Sequence, residues 1–272
     1  MLKVNWSLAS FLFLAACAMT GSAPTTTVTP ELRKEFAPSG TLVAGVNFGN
    51  PVIAQQDKAG GEPRGVGPEL AREIARRLGV PIRYVVYDTA GKMADAGKQG
   101  AWDVAMLAVD PKRAEDISFS APYVLIEGTY MVRADSPLKR IEDFDRKGLR
   151  ISVALKSAYD LYLTRVIKNA ELVRFPTSQA AIEEFLAGKV DVVAGVRQPL
   201  DTTAKKVPGL RVIEGSYMSI GQASGVPKGR PNAARFLHEV IEDAKRSGFV
   251  ERKLRESGID DAKVAPPAAR QP

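Results

Sequence analysis

The sequence predicts an α/β protein made of two lobes, each a mixed, mainly parallel sheet flanked by helices. Short apolar runs typical of strands alternate with helical stretches between residues 41 and 108, and the same alternation restarts at residue 150. This order is typical of parallel sheets, because the connecting helices pack on the faces of the sheet. The two blocks are separated by residues 133–137, so we expect two successive α/β units.

The first unit begins with a well-marked strand and helix pattern. Its three predicted strands are residues 41–46, 82–87 and 103–108. Between the first two strands, Leu70, Ile74 and Leu78 share one face at helical spacing. Pro68 near the start of this helix and Gly79 after its end are typical of helix termini. The other predicted elements are a helix of small residues at 90–99 and an extended stretch at 123–133.

The second unit repeats the alternation. Its predicted strands are residues 150–154, 172–175, 190–196 and 210–213. Its predicted helices are residues 158–168, 178–187 and 198–206. Beyond them, Leu237, Ile241 and Ala244 align on one face of a long helix predicted at residues 231–247, and a short helix is predicted at 250–256.

The composition is that of an ordinary globular protein, with 272 residues, of which 45% are hydrophobic and 25% charged. The net charge of +7 attracts anions, and nucleic acid, anionic lipid and acidic solutes are all candidates. Lys and Arg are scattered among Asp and Glu, which favours a solvated surface over a nucleic-acid-binding stripe. The single His238 and the single Cys17 exclude the usual zinc sites, and we predict no metal or cofactor.

The N-terminus is typical of an export signal. Lys3 precedes an apolar stretch that is too short to span a bilayer, which needs about 20 residues. Residues 1–17 are therefore predicted to be a signal peptide. The run Leu14-Ala15-Ala16-Cys17 resembles a bacterial lipobox, in which the cysteine is lipidated and becomes the mature N-terminus. The alternative is ordinary cleavage, for instance after Ala23, with Cys17 discarded.

Two further segments are predicted to lie outside the lobes. Residues 18–38 are predicted to be a flexible linker, since small residues, Thr and Pro offer almost nothing to bury. Residues 259–272 end in Pro-Pro-Ala-Ala-Arg-Gln-Pro and are predicted to be a disordered tail. Because Cys17 is the only cysteine, no disulfide forms within the chain, and stability has to come from packing.

A ligand cleft is expected between the two lobes. Ligands of open α/β sheets sit beyond the carboxyl ends of the strands, so the loops that follow the strands are expected to carry the site. These loops are residues 47–51, 88–89, 109–113, 156–159 and 197–198.

Several motifs, in this order, resemble those of the family 3 periplasmic solute-binding proteins, which are best known for polar amino acids. They are V-G-P-E-L-A-R-E-I-A-R-R-L-G-V at residues 66–80, G-A-W-D-V at 100–104, D-P-K-R-A-E-D-I-S-F-S-A-P-Y at 110–123 and G-K-V-D-V-V at 188–193. The resemblance extends from about residue 40 to residue 258.

The resemblance implies a type II periplasmic-binding-protein fold with two hinge crossings. Residues 39–132 and 226–258 would form lobe 1 and residues 133–225 lobe 2, with crossings near Arg133 and residues 223–226. In such proteins hinge motion closes the lobes on a small-molecule solute, and the closed form docks on an ABC permease in the inner membrane. The resemblance thus implies a monomeric, periplasmic or extracytoplasmic binding protein, joined to the membrane by its lipid anchor, rather than an enzyme.

The resemblance also implies the site residues. Arg113 occupies the motif position whose guanidinium grips the ligand carboxylate, and its planar fork suits two charge-assisted hydrogen bonds. Ser157 is predicted to cap the next helix, whose N-terminus favours an anion. Lys156 either adds positive charge to the cleft or points into solvent. The other predicted ligand-binding residues are Asn47, Asp88, Ala108, Tyr159 and Arg197.

Departures from the family pattern bear on the ligand. The acid that pairs with the α-ammonium of an amino acid is expected five positions after Asp191, but Val196 is there, followed by Arg197, so that a cation replaces an acid. The loop Asn47-Phe48-Gly49-Asn50-Pro51 lacks the usual acid followed by an aromatic residue, and Ala108 replaces a small hydroxyl residue. Since a buried ammonium without a counter-charge is costly, we predict a carboxylate-bearing or anionic solute.

Three alternatives remain open. Asp88 and Glu127 lie near the predicted cleft and could restore an ammonium contact, which would suit a polar amino acid. Some dehydratases resemble these binding proteins, and Asp88, Asp110 and Glu127 are candidates for acid–base work, although no nucleophile or metal pattern accompanies them. The third alternative is a sensory input module for a signalling partner.

Overall fold

The computed structural model describes residues 27–57 and 60–268. The predicted signal peptide, the lipobox with Cys17 and the first part of the predicted linker lie outside these residues. The described helices are α1 (Pro30–Phe36), α2 (Val66–Leu78), α3 (Ala90–Gly97), α4 (Ala158–Val166), α5 (Ser178–Leu186), α6 (Arg197–Lys206), α7 (Pro231–Arg246) and α8 (Phe249–Glu256). The described strands are β1 (Leu42–Asn47), β2 (Ile82–Tyr87), β3 (Val104–Ala108), β4 (Ile117–Phe119), β5 (Val124–Arg133), β6 (Arg150–Ala154), β7 (Glu171–Phe175), β8 (Val192–Val196), β9 (Leu210–Val212), β10 (Met218–Pro227) and β11 (Lys263–Val264).

The main path of paired strands runs in the order β2-β1-β3-β10-β5-β8-β6-β7. β1 pairs in parallel with β2 and β3, and β6 pairs in parallel with β7 and β8. Each predicted unit therefore has its own set of parallel strands within one continuous sheet, and the predicted α/β fold is confirmed. Buried faces of α2 and α7 form the core of the first unit with β1 and β3.

β5 and β10 connect the two units. Residues 124–128 of β5 pair antiparallel with residues 218–222 of β10. Beyond this stretch β10 joins β3 of the first unit, and β5 joins β8 of the second. Both crossings thus lie earlier in the chain than predicted from the resemblance, which put them near Arg133 and residues 223–226. Gly128 is needed at this junction, because a Cβ there would lie 2.7 Å from the ring of Tyr217.

α1 shows that the predicted flexible linker is wrong for its second half. The Thr29 hydroxyl accepts the Leu32 N–H at 3.2 Å and caps the helix. Leu32 and Phe36 are buried, and Phe36 packs edge-on against Phe236 of α7 with ring centroids 6.0 Å apart. Two apolar residues four positions apart therefore dock this helix on the first unit, although the surrounding sequence is polar.

The predicted disordered tail is also wrong for residues up to 268. β11 pairs antiparallel with residues 124–125 of β5, and the Ala265 N–H donates to the Tyr123 carbonyl at 3.0 Å. Lys245 of α7 donates to the Pro266 carbonyl at 2.9 Å. The segment is ordered because the edge of β5 offers unpaired backbone groups that a second chain segment can satisfy.

Glu73 in α2 gives stability a dependence on pH. Hydrogen bonds from Arg76, at 2.8 Å, and from Arg77, at 2.7 Å, lower the pKa of the Glu73 carboxyl from 4.5 to about 2. Because the folded-state pKa is depressed, this stabilisation is present above pH 4.5 and is lost as pH falls through 2. After solvent screening, we expect Glu73→Gln to lower the free energy of unfolding at pH 7 by about 1 kcal/mol.

Urea denaturation of wild type and variant at pH 7 and pH 2 measures this difference, which should be much smaller at the lower pH, where about half of the Glu73 carboxyl is protonated in the folded state. Glu251→Gln removes an exposed pair with Arg255 and serves as the matched control. If both substitutions lowered the free energy of unfolding equally at pH 7, Glu73 would contribute no more to stability than an exposed ion pair does.

Candidate ligand-binding cleft

A cavity lies between the two units, at the carboxyl ends of the parallel strands of both. Its empty volume, which includes space open to solvent at the mouth, is about 610 Å³. The uncharged polar side chains of the lining are Asn47, Asn50, Thr89, Ser157, Tyr159, Ser178 and Gln222. Apolar residues such as Ile53, Met106 and Ile220 form much of the remaining wall. The cavity lies where the rule on strand ends predicts a ligand site.

Arg113 supplies positive charge to this lining. It begins a 3-10 turn after β3, and only 5% of its surface is exposed. Its Nη1 donates to the Ala108 carbonyl and its Nη2 to the Lys156 carbonyl, both at 2.9 Å, while its buried Nε has no partner among the described residues. Asp95 and Asp110 act on it from a distance but form their ion pairs with other side chains. Burial lowers the pKa of Arg113 to about 10, so the guanidinium is charged at neutral pH.

Three of the described helices begin at the cavity. Thr89 caps α3 and Ser157 caps α4, each accepting the backbone N–H three residues later, at 3.2 and 3.0 Å. The predicted capping role of Ser157 is thus confirmed. Ser178 begins α5 on the same wall. The first-turn N–H groups of a helix have no intrahelical partner and carry partial positive charge, so this arrangement and Arg113 both favour an anion.

Asn47, Ala108 and Tyr159 are predicted site residues, and all three line the cavity. Asn47 ends β1, and its Oδ1 accepts the backbone N–H two residues later at 2.8 Å. Ala108 ends β3 and contributes its carbonyl to Arg113. Tyr159 is buried in α4, and its hydroxyl shares a hydrogen bond of 3.0 Å with the Ser178 hydroxyl. These residues offer neutral polar groups rather than charge.

Asp88 and Lys156 have their charges paired with other side chains. Asp88 borders it, but its carboxylate pairs with Lys92 at 2.7 Å, and 53% of its side chain is exposed. Lys156, predicted to bind ligand, does not line the cavity. Its φ of 57° is left-handed, and its Nζ pairs with Asp95 at 2.7 Å. Lys156 therefore brings only its carbonyl, which Arg113 occupies, to the edge of the site.

Arg197, also predicted to bind ligand, lies off the cavity. It begins α6, and its Nε donates to the Glu127 carboxylate at 2.7 Å. The neighbouring Val196 lines the cavity instead. Because Arg197 is paired with Glu127 and lies off the cavity, this arginine does not add a cation to the lining. The same ion pair engages Glu127, one of the two acids considered for an ammonium contact.

Some lining residues are not among the predicted site residues. Ser178 follows β7, so the rule on strand ends covers it as well as the other loops. Gln222 is buried in β10, a connecting strand that no loop signal marks. Asn50 lies within the predicted loop 47–51, but nothing in the sequence separates it from its neighbours.

Direct contacts join the two units across the cleft. Asp95 of α3 pairs with Lys156, and Asp110, whose side chain is 3% exposed, pairs with Arg165 of α4 at 3.0 Å. The hydrogen bond from Arg113 to the Lys156 carbonyl crosses the same gap. The structure thus shows the cleft in a closed arrangement.

Comparisons with known proteins agree with the motifs. Residues 42–256 match the family described as bacterial extracellular solute-binding proteins, family 3. The amino-acid-binding protein AabA of Dichelobacter nodosus is 24% identical over 208 residues, which cover 74% of this chain and 81% of AabA. The probable ABC transporter extracellular-binding protein YckB of Bacillus subtilis (strain 168) is 27% identical over 199 residues, which cover 70% of this chain and 66% of YckB.

Solved structures share the fold. A mutant of ArgBP from T. maritima superimposes with a TM-score of 0.72 at 25% identity, covering 84% of this chain and 99% of that one. The ancestral amino acid-binding protein AncCDT-1, a precursor of cyclohexadienyl dehydratase, superimposes with a TM-score of 0.70 at 21% identity, covering 83% and 98%. The predicted two-lobed fold of the periplasmic binding proteins is confirmed. Across the part of the chain that the structure describes, no helix has the length and apolar character to cross a bilayer.

Proposed function

The chain belongs to the bacterial extracellular solute-binding proteins of family 3, and from this premise we propose that it captures a small carboxylate-bearing or otherwise anionic solute for an ABC importer. The buried guanidinium of Arg113 carries this proposal, because its Nε lacks a partner and no described acid forms an ion pair with it. A ligand carboxylate supplies both the acceptor and the counter-charge. The helix N-termini at the same cavity add to its positive potential.

Capture takes place by closure of the lobes about β5 and β10. In the described part of the chain these strands are the two connections between the units, so rotation there opens the cavity without breaking the parallel strand pairs of either unit. The ion pairs of Asp95 and Asp110 across the cleft are made only when the lobes meet, and they stabilise the closed form. That form is the one that an ABC permease in the membrane would accept.

The site of action is outside the cytoplasm, as membership of an extracellular family implies. The signal peptide and the lipidation of Cys17 fit this location and stay predictions. A lipid anchor of this kind would keep a monomeric binding protein close to its permease.

Capture of a polar amino acid is the second candidate, and the similarity to AabA favours it. An α-ammonium needs a counter-charge in a buried cavity. In the described lining Asp88 is the only acid, and its half-exposed carboxylate already pairs with Lys92. This arrangement favours a carboxylate without an ammonium group.

Binding rather than catalysis is the function proposed, although AncCDT-1 is described as a dehydratase precursor. Acid–base catalysis requires a titratable group positioned at the reacting atoms. Each of the three candidate acids is held in an ion pair: Asp88 with Lys92, Asp110 with Arg165, and Glu127 with Arg197. Of these acids, only Asp88 borders the cavity.

Isothermal titration calorimetry of the purified protein tests the proposal. The ligands are monocarboxylates and dicarboxylates, the corresponding amides, and the polar amino acids glutamate and arginine. We expect saturable binding of at least one carboxylate and none of its amide, because the amide lacks the charge that Arg113 requires. Tight binding of the amino acids with no response to other carboxylic acids would favour the second candidate.

A further inference from the structure

Asn50 lines the cavity and has an unpaired acceptor. It lies in the loop after β1, and its backbone carbonyl accepts the N–H groups of Ile53 and Ala54 at 3.0 and 3.1 Å, which fixes the turn. Its side-chain Oδ1 is buried and has no hydrogen-bond partner in the described part of the chain. An unpaired buried carbonyl costs free energy, so a ligand that donates to it gains affinity.

Arg113 lines the same cavity and has the complementary unpaired group. Its Nε is a buried donor without a partner among residues 27–57 and 60–268, whereas Asn50 Oδ1 is a buried acceptor. A ligand that satisfies both atoms carries one acceptor and one donor. In the proposed function the ligand carboxylate is the acceptor that pairs with Arg113. The ligand group that donates to Asn50 remains to be identified.

The charge of the cavity decides which donor fits. The lining already contains the buried guanidinium of Arg113 and the N-termini of three helices, and the carboxylate of Asp88 is paired with Lys92 at its edge. An ammonium would add a second positive charge without a buried counter-charge, and repulsion between like charges is strong where water is excluded. A hydroxyl donates a hydrogen bond without adding charge.

We propose that the cleft selects hydroxycarboxylates, with Arg113 holding the carboxylate and Asn50 Oδ1 accepting the hydrogen bond of the ligand hydroxyl. This inference rests on the proposed capture of a carboxylate and adds the identity of the second group. Asn50 is then a specificity-determining residue, since it distinguishes ligands that share the carboxylate.

Matched ligands test the proposal by calorimetry. Three sets share a carbon skeleton and differ in carrying a hydroxyl, a hydrogen or an ammonium: lactate, propionate and alanine; malate, succinate and aspartate; mandelate, phenylacetate and phenylglycine. In at least one set, the hydroxy acid should bind roughly tenfold more tightly than both counterparts, as one neutral hydrogen bond allows. Preference for the amino acid overturns this inference but leaves carboxylate capture standing. No binding in any set overturns both.

Variants at position 50 separate the hydroxyl from the carboxylate. Asn50→Leu has similar volume without the acceptor, so affinity for the hydroxy acid should fall roughly tenfold to that of the unsubstituted acid. Asn50→Asp supplies a negative charge and should shift preference toward the amino acid. Asn169→Leu, which changes an exposed amide that bonds only to Asp145 among the described residues, is the control and should leave all ratios unchanged.

An unchanged ratio of hydroxy acid to unsubstituted acid in Asn50→Leu overturns the proposal. If circular dichroism shows that Asn50→Leu does not fold, Asn50→Asp decides the question, because it keeps the shape of the side chain. Failure of Asn50→Asp to move the preference away from the hydroxy acid then overturns the proposal.

Discussion

Arg113→Met is expected to weaken carboxylate binding by about a hundredfold or more. Methionine keeps the apolar length of the side chain but removes the charge and the unpaired donor of this lining residue. Removal of one partner from a buried charged pair costs about 3–5 kcal/mol, and each 1.4 kcal/mol is roughly tenfold in the dissociation constant. Calorimetric titration with the carboxylate that binds the wild type measures the loss.

The same substitution should leave the unliganded fold intact. Burial lowers the pKa of Arg113 to about 10, which means that the folded state disfavours the charged form, so removal of the charge relieves a desolvation cost. This relief offsets the loss of the hydrogen bonds to the carbonyls of Ala108 and Lys156. We therefore expect a thermal unfolding midpoint close to that of the wild type.

Two companion variants sharpen the result. Lys112→Met removes the adjacent cation, which pairs with Glu115 at the surface, and should not change affinity. Arg113→Lys keeps the charge without the planar fork and should bind with intermediate affinity. Wild-type affinity in Arg113→Met would contradict the proposed role of the guanidinium.

The core elements were predictable because their patterns are local. Leu70, Ile74 and Leu78 mark α2 by spacing alone, and all three are buried. α1 and β11 were not predictable in the same way. α1 rests on Leu32 and Phe36, too few apolar positions to define a period, and β11 is ordered by an open strand edge in a distant part of the chain.

For the candidate site, the position of a residue in the lining could be predicted where a motif fixes it. The ion-pair partner of a long side chain could not be predicted. Arg113 lies in the cavity lining as its motif implies. Lys156 instead pairs with Asp95, 61 residues earlier, and Arg197 with Glu127, 70 residues earlier. Such pairs depend on how distant segments of the chain are placed against each other, which no local pattern encodes.

Gly91→Ala is expected to weaken ligand binding about tenfold without destabilising the open protein. A Cβ on Gly91 would lie 2.7 Å from the Cβ of Lys156 and 3.2 Å from the Leu155 carbonyl oxygen. Gly91 is in α3 of one unit and its neighbours are in the other, so the clash arises only on closure. Overpacking costs about 1–3 kcal/mol, and this cost destabilises only the closed form. The open protein is not destabilised, because alanine is a better helix former than glycine. Calorimetry measures affinity, and small-angle scattering with and without ligand measures closure.

Lys156→Gly in the Gly91→Ala background should restore most of the lost affinity. The φ of 57° at Lys156 is a conformation that glycine adopts freely, and glycine removes the Cβ that clashes. The change also removes the exposed ion pair with Asp95, worth about 0.2–1 kcal/mol, so Lys156→Gly alone provides the reference for a double-mutant cycle. A coupling energy near zero in that cycle would show that α3 and the Lys156 loop do not meet in the liganded protein. Closure of the lobes would then have to bring different surfaces together.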